Sequence, residues 1–304
     1  MKIRVVSDLH IDINNAAPLH LDDDVFTLVA GDVAGNPDLI VKWMRANVKH
    51  GAFVSGNHDV YETDLPIEDI KVNLSQAFPV SGDVVYFDND AGVVSKEIDD
   101  NVLLVADVMY TDYQFNTFTY QSSPDNVRRN IEAADPALNF HMTGMNDFNY
   151  GITRKLFKGR NDKCTGKGWR LVPEWCLEHF NRAFKAVDEV VSSNPSKDII
   201  LMTHHCLSPK CIAGEYSDDV LNASYVSDKT EWIHAHPNIK VIVSGHIHSK
   251  QMFEEGTAKY VMNPLGYYAY NARSTSTFKF DDVIIDTSDW SVERVKDGLV
   301  CSKV

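Results

Sequence analysis

An α/β fold is predicted by two patterns in this 304-residue sequence. Short apolar runs rich in β-branched residues alternate with segments of helical periodicity, and a polar block follows directly on several runs, as at the carboxyl ends of strands in open sheets. Ile3-Arg4-Val5-Val6 is the first such run, residues 25–30 the second and Ala52-Phe53-Val54 the third. All three read as buried strands. Between the second and third, Asn36 serves as N-cap and Pro37 opens a helix. Leu39, Ile40, Trp43 and Met44 share its face, and Gly51 closes it. Pro173 starts another helix with Trp175, Phe180, Ala183, Phe184, Val187 and Val191 at helical spacing, leading into the fourth strand, Ile199-Ile200-Leu201-Met202. Lys240-Val241-Ile242-Val243 is the fifth. Lys259-Tyr260-Val261-Met262, Thr277-Phe278-Lys279-Phe280 and Val283-Ile284-Ile285 read as further strands completing a sheet. From about 110 to 170 the chain is aromatic, Asn-rich and basic toward its end, without a sustained strand pattern. An insertion or cap on one domain spanning 1–304 is expected there.

Forty-three acidic against 29 basic side chains leave a formal charge of -14, which repels a polyanion over most of the surface and argues against nucleic acid. A small phosphorylated partner is easier to accommodate. The apolar run before Asp8 is too short for a signal peptide, and no run approaches the roughly 18 residues of a membrane span. A soluble, cytoplasmic protein with no membrane partner is expected. The five cysteines, at 164, 176, 206, 211 and 301, show no C-x-x-C spacing, so no disulfide framework is expected. Cys206, two residues past His204, reads as a small buried apolar group.

Five polar blocks carry the chemistry: Ser7-Asp8-Leu9-His10, Gly31-Asp32, Gly56-Asn57-His58-Asp59, Thr203-His204-His205 and Gly245-His246-Ile247-His248. They alternate carboxylate, imidazole and amide, the mixed donor set that borderline divalent cations accept. On an extended strand end, residues i and i+2 face one side, so Asp8 with His10, and His246 with His248, are expected to face one cation pair. Glycines at 31, 56 and 245 let the backbone turn beside them. Asp32 has two oxygens with which to bridge two cations. His204 and His205, being adjacent, face opposite sides, and which of them binds stays open on spacing alone.

These blocks, in this order, resemble the calcineurin-like metallophosphoesterase superfamily, whose pattern is D-x-H, G-D, G-N-H-[DE], a later His and G-H-x-H. The resemblance implies two facing mixed β-sheets flanked by helices, with a dinuclear centre at the strand ends. Position by position it implies one metal held by Asp8, His10, Asp32 and His248, and another held by Asp32, Asn57, His204 and His246. Two divalent ions follow, manganese first, with iron or zinc as alternatives. It further implies attack on phosphorus by a metal-activated water, with His58 protonating the leaving oxygen. Asp59 is read as orienting its loop. The chain also resembles bacterial and phage-type metallophosphoesterases of undefined substrate. Residues 7–12, Thr111-Asp112-Tyr113, residues 203–210 and Asn263-Pro264-Leu265-Gly266-Tyr267 carry that likeness, with Leu265 where the family often has Arg. Asn263 and Tyr267 are thereby candidate substrate contacts, although a Pro-Gly turn accounts for them as well. His205 is either a substrate-side neighbour or a packed residue.

The expected activity is hydrolysis of a phosphoric ester, a diester before a monoester, on a small substrate such as a nucleotide. A protein Ser/Thr phosphatase would extend G-D to G-D-x-V-D-R-G, and residues 31–36 do not. A nuclease of the superfamily needs a basic track, for which only Lys155, Lys158, Arg160, Lys163, Lys167 and Arg170 offer themselves, and a solvated face explains those too. The other rival is a non-catalytic interaction protein on the same fold, which should have lost ligands or His58. None is lost.

Overall fold

The computed structural model describes residues 1–14, 25–61, 63–138, 144–149, 152–154, 169–267, 283–296 and 299–301. Two mixed sheets face one another. The first runs, in spatial order, β17 (Leu299–Cys301), β16 (Ser291–Lys296), β15 (Val283–Asp286), β1 (Lys2–Val6), β2 (Phe26–Ala30), β3 (Gly51–Val54) and β4 (Val84–Tyr86). The second runs β13 (Gln251–Glu255), β14 (Ala258–Met262), β12 (Ile239–Val243), β11 (Asp198–Thr203), β6 (Val102–Asp107) and β5 (Ser95–Asp99). β1 to β4 are parallel neighbours, as are β14, β12, β11 and β6, while the remaining strands pair antiparallel at the flanks.

Alternation along the strands builds the layers. In β11, Ile200 and Met202 face the inter-sheet core with Ile3, Val5, Leu28 and Val54, whereas Ile199 and Leu201 face the helices beyond. α2 (Pro37–Asn47) buries Ile40, Trp43 and Met44 outside the first sheet, together with Ile67, Ile70 and Leu74 of α3 (Ile67–Ala77). α5 (Pro173–Ser193) lays Phe180, Ala183, Val187 and Val191 along the second sheet. The short helices α1 (Ile11–Asn14), α4 (Val127–Ala134) and α6 (Thr230–Ala235) fill between. No described helix is long and apolar enough to cross a membrane.

Asn36 caps α2 as expected, its side chain accepting from the Asp38 N–H at 2.9 Å. Gly51 does not close that helix: Val48 is the C-cap residue, and Gly51 opens β3 because its N–H is taken by the Asp83 carbonyl. Thr277-Phe278-Lys279-Phe280 lies outside the described residues. In the mid-chain stretch the structure has the small hairpin of β7 (Phe115–Asn116) with β8 (Gln121–Ser122), then α4, and the two-residue pair β9 (Thr153–Arg154) with β10 (Trp169–Arg170). Tyr110, Tyr113 and Phe115 are buried there, while Phe118 and Tyr120 are exposed.

Candidate metal centre

The five polar blocks meet where the parallel strands of both sheets end. Asp8 and His10 follow β1, Asp32 follows β2, Asn57 and His58 follow β3, His204 and His205 follow β11, and His246 and His248 follow β12. The local geometry departs from the pleat expected of it. Asp8, His10, Asp32 and His246 have φ of 51°, 42°, 56° and 68°, so tight left-handed turns aim these side chains, and i, i+2 alternation does not. The backbone pays for such turns with cross-loop hydrogen bonds: Asp8 N–H to Gly31 O at 3.0 Å and His10 N–H to Asp32 O at 3.0 Å. Close approach also explains Gly56, where an added Cβ would fall on the Asp32 carboxylate and the His204 ring. Asp59 ties the loops from beneath, accepting from the N–H groups of Asp32 and Ala34 at 3.0 Å each and of Gly56 at 2.7 Å.

Donor atoms converge in two groups. Asp8, His10, Asp32 and His248 bring one donor atom each within 4.8 Å of one another. His10 Nε2 lies 3.2 Å from His248 Nε2, and His248 Nε2 lies 3.5 Å from Asp8 Oδ1. In the other group, Asn57 Oδ1 is 3.0 Å from both His204 Nε2 and His246 Nδ1. His204 gives its Nδ1–H to the Ala30 carbonyl at 2.8 Å, which leaves Nε2 free to bind. One atom belongs to both groups: Asp32 Oδ2 is 3.7 Å from His10 Nε2 and 3.5 Å from His204 Nε2.

The electrostatics fit a cation. Asp8 and Asp32 are buried, and among the described residues neither has a Lys or Arg partner. Asp8 Oδ2 is buried without a hydrogen-bond partner among the described residues. Burial, with Asp59 and Asp8 nearby, pushes Asp32 well above the usual carboxylate range, whereas at Asp8 burial is outweighed by His248, His204 and His10 acting together, which hold it low. Burial lowers His10 to about 2, and lowers His204 and His246 as well, so these imidazoles are neutral and able to ligate.

A cleft of about 800 Å³ opens over the second group, with Asp32, Asn57, His58, His246 and His248 along its floor. His58 is lowered to about 3 by burial, with His248 and His204 adding to the effect; its ring stacks on Tyr61 at 4.1 Å, and its Nε2 is 2.8 Å from the Tyr267 hydroxyl. Tyr267 lines the cleft. Asn263 does not: its side chain donates to the Val5 carbonyl at 2.8 Å, tying the segment after β14 to β1. His205 is also absent from the lining, its ring packed 4.3 Å from that of His246 and 5.1 Å from that of Tyr110. Two cleft residues were not signalled by the sequence. Tyr61 sits one turn past Asn57, a spacing that offered a hint, but Asp147 is 90 positions away and no local pattern marks it.

Of the basic track, Arg170 is engaged by Asp135 through both guanidinium Nη atoms at 3.0 Å, and Lys155, Lys158, Arg160, Lys163 and Lys167 lie outside the described residues.

The family model of the calcineurin-like phosphoesterases matches residues 1–250, which takes in every block described above. The chain belongs to that family. The family is divalent-metal dependent, and the Asp8, His10, Asp32 and His248 cluster is a candidate cation site within it. Among solved structures, a phosphopantetheinyl hydrolase from Mycobacterium tuberculosis is 17% identical, with 89% of this chain and 92% of that chain covered at a TM-score of 0.59; it shares the fold. A dimetal phosphatase from Danio rerio is 11% identical over 97% of this chain and 93% of that one, at a TM-score of 0.47. A search of curated protein sequences finds no significant match. As a calcineurin-like phosphoesterase, the chain has the two-sheet architecture that its motifs implied.

Proposed function

We propose that this chain is a dinuclear metal-dependent phosphoesterase acting on small phosphodiesters. The observation that carries the reading is Asp32 Oδ2, one carboxylate oxygen directed at both donor groups. Asp8, His10, Asp32 and His248 would hold one divalent ion, and Asp32, Asn57, His204 and His246 the other. When bound, such a pair supplies Lewis-acid polarisation of phosphoryl oxygens and an acidified water. The chain's own residues do the rest. Asp59 fixes the Asp32 and Asn57 loops relative to each other. His58, at the cleft floor and neutral while no anion occupies the cleft, would take up a proton as the anionic ester binds and give it to the leaving oxygen, and Tyr267 and Tyr61 hold its ring on two sides. The single domain, with the mid-chain insertion reaching the site, belongs to the same proposal.

The described residues lining the cleft include Glu215 and Asp219 and no Lys or Arg. A monoanionic diester suffers less repulsion in such a cleft than a dianionic monoester, which supports diesters over monoesters. Leu265, where relatives often have Arg, is in keeping with that preference, and so is the net charge of -14.

The test is hydrolysis of bis-p-nitrophenyl phosphate against p-nitrophenyl phosphate by manganese-reconstituted protein, with Asp32→Ala as control. Diester turnover that disappears in the variant is expected; turnover that survives in it refutes the reading. His58→Ala should keep its manganese and lose about 10²–10⁴-fold on an alkyl diester, the usual contribution of a positioned acid. Unchanged turnover on that substrate would remove His58 from the role.

A further inference from the structure

We infer that Asp147, carried by the mid-chain segment, is a positioning residue that sets the Asn57 amide and the flank of His58; the inference rests on the metal-centre reading above. Asp147 is buried, and its Oδ1 accepts two hydrogen bonds, one from Asn57 Nδ2 at 2.8 Å and one from the Tyr61 hydroxyl. Asn57 offers two ends of similar shape, an oxygen and an NH₂ group, and a 180° turn about its last bond would exchange them. With the NH₂ end held by a carboxylate, Oδ1 is committed to the point it shares with His204 Nε2 and His246 Nδ1. Only the oxygen end can ligate a cation, so the Asp147 contact, seconded by the Tyr61 hydroxyl that accepts from Nδ2 at 3.2 Å, sets whether Asn57 is a ligand or an obstruction. Through Tyr61 the same carboxylate steadies the ring stacked on His58.

The turn bearing Asp147 is built to stay put. Met145 donates its N–H to the Ala134 carbonyl at 2.8 Å, and Met145 and Phe148 are buried in the core outside the first sheet with Ile131, Leu171 and Val172. Arg170 grips Asp135 with two hydrogen bonds and reaches the Phe148 carbonyl at 3.3 Å, and buried Arg154 holds the Arg170 carbonyl at 2.8 Å. A side chain locked by its own supports, and aimed at a neighbour's ligating group, is how outer partners orient metal sites.

The experiment is a titration of metal-free protein with Mn²⁺ alone, counting ions and affinities, for wild type, Asp147→Leu, Asp147→Asn, Asn57→Ala and the Asn57→Ala/Asp147→Leu double variant, each checked for folding by circular dichroism. In Asp147→Leu, the weaker of two Mn²⁺ affinities should fall about 10–100-fold while the tighter ion is kept, as loss of an outer partner usually does. Asp147→Asn retains an acceptor oxygen and should recover most of that loss. In the Asn57→Ala background the Leu substitution should add little further loss, because the group it acts through is gone. Two ions bound by Asp147→Leu as tightly as by wild type, or Asp147→Asn as damaged as Asp147→Leu, overturns the inference. Should Asp147→Leu fail to fold, the Asn57→Ala and Asp147→Asn titrations still decide it: an Asn variant that loses the second ion counts against it, and one that keeps it at near wild-type affinity supports it. Wild type binding no Mn²⁺ would instead overturn the metal-centre reading itself.

Discussion

Two clusters of buried carboxylates and imidazoles sit in this fold, and they differ in where the positive charge comes from. In the first, Asp8 and Asp32 lie among His10, His204, His246 and His248 with no Lys or Arg partner among the described residues. In the second, Asp88, Asp90, Asp107 and His179 surround Lys71, whose Nζ is 2.8 Å from Asp88 Oδ2, 3.2 Å from Asp90 Oδ2 and 2.7 Å from His179 Nε2. Burial works against a charged Lys71, yet Asp88, Asp90 and Asp107 raise it above its ordinary value. The lesson is that burying acids is not by itself a functional signature. A cluster that brings its own ammonium is complete and structural, while one that leaves its acids facing imidazole lone pairs is finished only by an ion from outside.

That contrast can be broken by experiment, most strongly at Lys71. Lys71→Met should cost about 3–5 kcal/mol in urea unfolding, because Asp88 and Asp90 lose their buried partner. A cost under about 1 kcal/mol would mean that the cluster does not need its cation. Next in size, Mn²⁺ at about 100 times its Kd should stabilise wild type by about 2.7 kcal/mol, read as a rise in Tm that EDTA reverses. Lys71→Met should keep a stabilisation of that size, and Asp32→Asn should lose it. Third, in metal-free protein Asp32→Asn should raise stability by about 1–3 kcal/mol, since an ill-compensated buried carboxylate becomes a neutral amide. Lower stability in that variant would show that the first cluster is balanced without metal. The smallest effect is on pH dependence. Against the effect of burial, Lys71, His179 and Arg182 hold Asp90 down to about 2. A folded-state value below the unfolded one of 3.8 means that its contribution is present above pH 4 and lost as pH falls toward 2. Asp90→Asn should flatten that part of the acid-unfolding profile, and an unaltered profile would remove Asp90 from the account.

The two clusters also differ in how far the sequence betrayed them. The first was legible because each donor follows a β-branched run within a few residues, so strand ends and chemistry coincide in the text. Strand alternation does not aim these donors, since Asp8, His10 and His246 reach the centre from left-handed turns, which spacing does not reveal. The second cluster joins α3, the turn after β4, β6 and α5, and its contacts exist only after packing. Asp147 was hidden for the same reason. Two further elements carry a local signal: Val102-Leu103-Leu104-Val105-Ala106 has the composition of the other buried strands, and Ile67, Ile70 and Leu74 have the spacing of a helix opened by Pro66. Spacing alone leaves His204 and His205 open, and packing distinguishes them: His204 Nε2 lies 3.0 Å from Asn57 Oδ1 and 3.5 Å from Asp32 Oδ2, while the His205 ring packs on His246 and Tyr110.

The proposed centre draws its donors from positions 8 to 248, so it has a history as well as a shape. During synthesis at roughly 5–20 residues per second, some tens of seconds pass between the appearance of Asp8 and that of His248. Through that interval β1 to β4 can assemble, but Asp8, His10 and Asp32 have no partners across the gap where the other sheet will dock. In the proposed centre His248 completes one donor group and His246 the other, so ions can load fully only after β12 and the residues behind it have been made, and a translation product that stops short of β12 lacks a donor from each group.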